Sequence, residues 1–169
     1  MILYLDTSAL VKLYADEPGR QEVESSVQEA RVVAVSEIAH VEARSALARK
    51  EREGAFSTDE HDTAVEQLHQ DFREVYLTRP VTGEVIARAG DLARKHALRA
   101  YDAVHLATAL VLREEAEGLA QGGREAGEPA AQEQSDEPRV AMMTFDASLA
   151  GAAGDEGLAH PDQTSREER

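Results

Sequence analysis

Four acidic residues, Asp6, Glu42, Asp102 and Asp146, stand where a carboxylate needs a reason. Asp6 directly follows the apolar run Ile2 to Leu5, and Asp146 follows Val140 to Met143 by a turn. Short apolar runs of this kind read as buried strands. Both acids therefore stand at strand ends, and in an open parallel sheet ligands collect outside the carboxyl ends of the strands. Glu42 falls between Ile38 and Ala46, close to Val41, on the apolar face of a helix that starts at Ser36. Asp102 opens the run AVHLATALVL, which is apolar nearly all round. An ionised carboxylate in such surroundings is costly unless it is paired or metal-bound. Each acid also has an ordinary reading: Asp6, Asp102 and Asp146 as helix caps, Glu42 as the partner of a buried Arg. Convergence on one crevice favours chemistry. Carboxylates held close together repel and take up protons unless a divalent cation sits among them. All-oxygen ligation suits Mg²⁺ or Mn²⁺ rather than Zn²⁺. Such ions activate water and stabilise the charge that develops in phosphodiester hydrolysis.

The elements that must position these acids alternate between strand and helix. Strands are expected at Ile2–Leu5, Val32–Val35, Glu74–Thr78 and Val140–Met143, with a final edge strand at Leu158–His160. Between them, helices are expected after Asp6, from Pro18 to Ala30, from a Ser36 cap to the Gly54 stop, and from Ser57 to Phe72. Three more follow: Val81 to His96, Ala100 to about Glu117, and a short one entered by a turn at Thr144. This order is that of an α/β protein, a mostly parallel sheet of four to five strands covered on both faces.

At 169 residues the chain suits one domain, residues 1–169. It has 33 acidic and 18 basic residues, a net charge of −15, which opposes gripping nucleic acid or anionic lipid through an overall positive field. Eight acidic residues and one basic residue lie between 114 and 138, a Gly-, Glu-, Gln- and Pro-rich stretch expected to be a mobile insertion. The end of the chain, including a polar tail from 161 to 169, is acidic as well. With both segments and the four acids set aside, 16 acidic and 15 basic residues remain. The expected body is thus nearly neutral around a focused acidic pocket. No Cys is present, which excludes disulfides, thiolate zinc sites and cysteine nucleophiles. The start MILYLD lacks the basic flank of a signal peptide, and Ala103 to Leu112 is about half of a bilayer span. A cytoplasmic domain without a membrane segment is expected.

Four stretches in order make the sequence recognisable: LDTSALVKLY (Leu5 to Tyr14), SEIAHVEARSAL (Ser36 to Leu47), RAYDAVHLATAL (Arg99 to Leu110) and TFDASL (Thr144 to Leu149). Together they resemble the PIN-domain family, especially the VapC-type toxin ribonucleases of toxin–antitoxin pairs. The resemblance implies a three-layer α/β/α fold and Mg²⁺- or Mn²⁺-dependent endonucleolytic cleavage of RNA. It implies a homodimer and a cognate antitoxin as well. It places the family's acidic centre on Asp6, Glu42, Asp102 and Asp146, with Asp6, Asp102 and Asp146 as metal ligands. Glu42 would then hold or help deprotonate the attacking water. Thr144 falls where the family has a hydroxyl beside the site. The acidic insertion is a departure, since the family crosses that point with a short turn.

Other residues carry two readings each. Ser8 has no base placed to activate it and reads as a hydrogen-bonding neighbour of Asp6. Lys12 either touches substrate phosphate or is a solvated helix lysine. Arg44, Arg49 and Arg99 are candidate RNA contacts, with Lys50 among their neighbours. His105, one turn after Asp102, reads as a core histidine bonded to backbone rather than a support for the site. Competing functions are a PIN-like domain that mainly binds a protein partner and a Mg²⁺-dependent phosphatase. The phosphatase pattern wants Asp-x-Asp, where this chain has Asp6-Thr7-Ser8.

Overall fold

Alternation along four short strands decides where the helices pack. In the computed structural model, which describes residues 1–122 and 139–161, β1 (Ile2–Leu5), β2 (Val32–Ser36), β3 (Leu77–Arg79) and β4 (Val140–Met143) form one sheet. Its order is β3-β2-β1-β4, and all three pairings are parallel. Ile2 lies in register with Val32 on one side and Val140 on the other. Successive strand side chains point to opposite faces. Leu3, Leu5, Val33 and Val35 join one core, and Tyr4, Ala34, Val140 and Met142 join another.

The first core is completed by α1 (Thr7–Leu10), α2 (Arg20–Glu29), α3 (Glu37–Arg52) and α4 (Thr58–Glu74) through Leu10, Val23, Leu47 and Leu68. The second is completed by α5 (Gly83–His96), α6 (Ala100–Gly122) and α7 (Ala147–Asp155) through Leu92, Leu106, Leu110 and Leu149. The result is three layers, α/β/α, with the parallel sheet shielded on both faces. The chain steps outward from β1 to β2 to β3, then returns to place β4 on the far side of β1. That reversal opens a crevice at the carboxyl ends of β1 and β4. Asp6 and Asp146 stand there.

Several boundaries differ from the sequence reading, each for a local reason. β3 begins at Leu77 rather than Glu74, because helical bonding in α4 continues to its end, where Val75 N–H and Tyr76 N–H both reach the Asp71 carbonyl at 2.9 Å. The start of α4 is as read, with a capping box between Ser57 and Glu60. Ser36 ends β2 and precedes α3, but its side chain makes no capping bond. Leu158–His160 forms no strand. A single parallel bridge joins Ala159 to Ala141, with Met142 N–H donating to the Ala159 carbonyl at 3.0 Å.

α6 is the largest revision. It runs on to Gly122, beyond the expected end near Glu117, so helix takes up nine residues of the expected 114–138 insertion. Arg88 grips both Glu114 oxygens at 2.7 and 2.8 Å, and Arg79 pairs with Glu115. These charge-assisted bonds hold the acidic turn against α5 and β3. The rest of the insertion, 123–138, and the tail, 162–169, lie outside the described residues. Among the described residues no helix is long and apolar enough to cross a membrane.

α2 starts at Arg20 instead of Pro18, behind Gly19 at φ +91°. A Cβ there would stand 2.6 Å from Cε1 of Phe145, so the position needs glycine for its conformation and for the contact. Gly19→Ala is expected to cost about 1–2 kcal/mol from the backbone alone. Urea denaturation checks this, and an unchanged midpoint would contradict it.

Candidate active site

Asp6 leaves β1 as the N-cap of α1 and is 4% exposed. Its Oδ1 accepts from Ser8 Oγ at 2.8 Å and from Ala9 N–H at 3.0 Å, and its Oδ2 accepts from Thr144 Oγ1 at 2.8 Å. Thr144 Oγ1 in turn accepts from Asp146 N–H at 3.1 Å, while Phe145 N–H donates to Ser8 Oγ at 2.8 Å. Two hydroxyls therefore fasten the loop after β1 to the loop after β4. Asp146 Oδ1 accepts from Ser148 and Leu149 N–H, each at 2.9 Å, and so caps α7. The capping readings of Asp6 and Asp146 hold geometrically, and both residues still line the crevice. Capping and lining are compatible, because capping occupies only Oδ1 of Asp146.

Asp102 is not a cap. α6 begins at Ala100, which puts Asp102 in its first turn, above the fully buried stretch from Ala103 to Leu110. Burial pushes its carboxyl above the ordinary value. The negative charge of Asp146 adds to the rise, Arg99 opposes it, and Asp6 adds again. Asp6 is also pushed up by burial, against the hydrogen bonds from Ala9, Thr144 and Ser8.

Glu42 is reached by a network that sequence spacing does not reveal. Its Oε2 accepts from Thr7 Oγ1 at 2.7 Å and stands 2.8 Å from His105 Nε2. On the other side of that ring, Nδ1 lies 2.9 Å from the hydroxyl of Tyr4, a fully buried residue. A carboxylate only accepts, so Nε2 carries a proton; in the neutral ring Nδ1 is then the acceptor and Tyr4 the donor. The chain Tyr4–His105–Glu42–Thr7 links β1, α6, α3 and α1. Burial raises the Glu42 carboxyl, but the bonds from His105 and Thr7 outweigh it and hold the group below its ordinary value. His105 is thus bonded to side chains and supports the site, where the sequence reading gave it a backbone bond.

The four acids line one open cleft of about 600 Å³ with Ser8, Lys12 and His105. Arg49, Lys50 and Arg99 bring positive charge to the same cleft. Lys12 is held by Glu17 at 3.3 Å and the Pro18 carbonyl at 2.9 Å, and Lys50 pairs with the same Glu17. Arg44 is exposed and is absent from the cleft lining; its charge acts on His40, which packs against α4 through His69. Among the described residues no three His, Cys, Asp or Glu side chains gather closely enough to enclose a metal ion. The donor set still fits a hard divalent cation. It is carboxylate and hydroxyl oxygen, and a cation would offset both the burial and the repulsion from Asp146 and Asp6 that raise Asp102.

The PIN domain family model matches residues 3–120. Two Mycobacterium tuberculosis proteins, Ribonuclease VapC45 and Ribonuclease VapC49, are each 40% identical over 114 residues, covering 66% of this chain and 76% of theirs. Ribonuclease VapC3 of Pyrobaculum aerophilum is 30% identical over 109 residues, covering 64% of this chain and 82% of its own. Among solved structures, FitAcB from Neisseria gonorrhoeae superposes with a TM-score of 0.62 at 19% identity, over 95% of this chain and 98% of that one. PAE2754 from Pyrobaculum aerophilum gives 0.58 at 13% identity, over 97% and 86%. The two structures share the fold, and the matched segment contains Asp6, Glu42 and Asp102: the chain belongs to the PIN-domain family.

Proposed function

We propose that the protein is an endoribonuclease that hydrolyses RNA phosphodiester bonds with Mg²⁺ or Mn²⁺. We further propose that it acts in the cytoplasm as the toxin of a type II toxin–antitoxin pair, as a homodimer held in check by a cognate antitoxin protein. The observation that carries the reading is the single cleft in which Asp6, Glu42, Asp102 and Asp146 meet Arg49 and Arg99. The similarity to proteins named Ribonuclease VapC supports the substrate class and the toxin role.

Asp6, Asp102 and Asp146 would hold the ion, which supplies charge for the reacting phosphate and acidifies a water. Asp6 is locked by Ser8, Ala9 and Thr144, so its orientation is set before substrate arrives. Glu42 has its bonds from Thr7 and His105 on Oε2, leaving Oε1 to accept a proton from the attacking water. Its lowered carboxyl keeps it ionised and able to do so. Arg49 and Arg99 offer charge to the flanking phosphates.

The test is incubation of the purified chain with end-labelled RNA and Mg²⁺ or Mn²⁺, beside an EDTA control. Internal fragments that vanish with EDTA are expected. Metal binding without cleavage of any RNA would leave the partner-binding reading in its place. Cleavage in EDTA would overturn the metal assignment.

Stability gives a second readout. Asp6 and Asp102 have folded values above their unfolded ones, so their contribution favours folding at mildly acidic pH. It is withdrawn as pH rises from about 4 through the raised folded values. Mn²⁺ should therefore raise the melting temperature more at about pH 7.5 than at about pH 5. An equal shift at both would count against ligation by these two acids.

A further inference from the structure

Phe145 lies between Thr144 and Asp146 at the cleft, and it is 40% exposed. A single exposed apolar side chain is ordinary on a protein surface; this one is set apart by its place at the cleft and by the contacts that hold it. The ring is held firmly. Lys12 Nζ stands 4.3 Å from its centroid, and the Lys12 side chain is only 11% exposed, so this cation lies beneath one face. Gly19 packs against the ring so closely that a Cβ would stand 2.6 Å from Cε1. The Phe145 backbone N–H is anchored on Ser8 Oγ, the same hydroxyl that holds Asp6. Lys12 and Gly19 hold the ring in place, and the residue still keeps exposed surface where it borders the cleft.

We propose that the exposed part of this ring stacks one unpaired base of the RNA, placing the adjoining phosphate over the acids. The proposal rests on the ribonuclease reading and narrows its substrate to RNA whose base at the cut can leave its stack. The ribonuclease reading and the arginines at the cleft point to the occupant. Arg49 and Arg99 line the cleft that Phe145 borders, and a rigid aromatic beside such cations is how single strands are held. A ring fixed before binding loses little freedom when the base arrives. Duplex RNA keeps its bases stacked and gains nothing from it.

The experiment compares wild type, Phe145→Leu and Phe145→Trp on a single-stranded RNA and on the matching duplex, with Mn²⁺, after thermal melts establish folding. Binding is followed by the fluorescence of 2-aminopurine placed in the single strand, with Ca²⁺ in place of Mn²⁺. Phe145→Leu should raise KM for the single strand about tenfold with kcat little changed and should lose the quench. Phe145→Trp should restore both, and duplex kinetics should not move. An unchanged KM and quench in Phe145→Leu, with wild type cleaving normally, would overturn the stacking role and leave the nuclease standing. A loss confined to kcat would overturn it too, assigning Phe145 to the placement of Asp146. No cleavage by wild type would bring down the nuclease reading itself, and the stacking role with it.

Discussion

Asp102→Asn should cut RNA about a thousandfold more slowly than the parent and, without divalent ions, should melt at a higher temperature. The two effects have one cause. Asn keeps the shape of the side chain and removes a charge that burial, Asp146 and Asp6 all disfavour, with Arg99 only partly compensating. Under the proposed metal-dependent reading, a bound cation would offset that repulsion at neutral pH. The sign follows from linkage. A carboxyl whose folded value is raised destabilises the ionised state, so the penalty is absent at low pH and grows as pH rises from about 4 through the folded value. The gain in melting temperature should therefore be larger at about pH 7.5 than at about pH 4.5 in EDTA, and Mn²⁺ should narrow it. Activity lost against stability gained is the expected trade at a strained site. Less than a tenfold loss in single-turnover rate would remove Asp102 from the reacting centre. Equal melting temperatures would remove the repulsion.

The strand-end acids were legible because they depend only on the chain next to them. Ile2–Leu5 and Val140–Met143 are strands with the boundaries read from their apolar runs, and an acid that follows a parallel strand must emerge at its carboxyl end. Asp102 was legible for a similar reason, since the long apolar run behind it had to be buried. Helical periodicity placed Glu42 on the inner side of α3, yet Val41, read as its neighbour on that face, is 68% exposed. Periodicity fixes a face to within a residue and no better. Contacts across the fold were not legible. Tyr4 and His105 lie 101 positions apart, and Glu42 and His105 lie 63 apart. Spacing relates residues three or four apart on one helix and says nothing of pairs like these. The same limit hid Arg79–Glu115 and Arg88–Glu114, which tie α6 to β3 and α5 where the acidic stretch begins. Composition judged that stretch by what it could bury and had no access to the charges on β3 and α5 that its first residues meet.

His105→Leu is expected to destabilise the fold by about 2–4 kcal/mol, because it strips two partners at once. The Tyr4 hydroxyl, fully buried, loses its bond to Nδ1, and Glu42 Oε2 loses the Nε2 proton and keeps only Thr7. Leucine fills much of the same volume, so the cost comes from unmade hydrogen bonds rather than from a cavity. Its pH dependence separates this from general damage. Glu42 has a folded value below its unfolded one, so it contributes stability above about pH 4.3 that is lost as pH falls through the folded value. The variant lacks that contribution, and its deficit should be greatest at neutral pH and shrink below about pH 4. RNA cleavage should fall by about 10- to 100-fold, the usual effect of losing a group that orients a reacting carboxylate. His105→Gln, which can still donate to Glu42, should recover more activity than Leu. If Gln and Leu prove equally slow although both are folded, His105 fills space and does not orient Glu42. A stability deficit that is flat with pH would separate the Tyr4 bond from the Glu42 bond and leave only the former as the source of the loss.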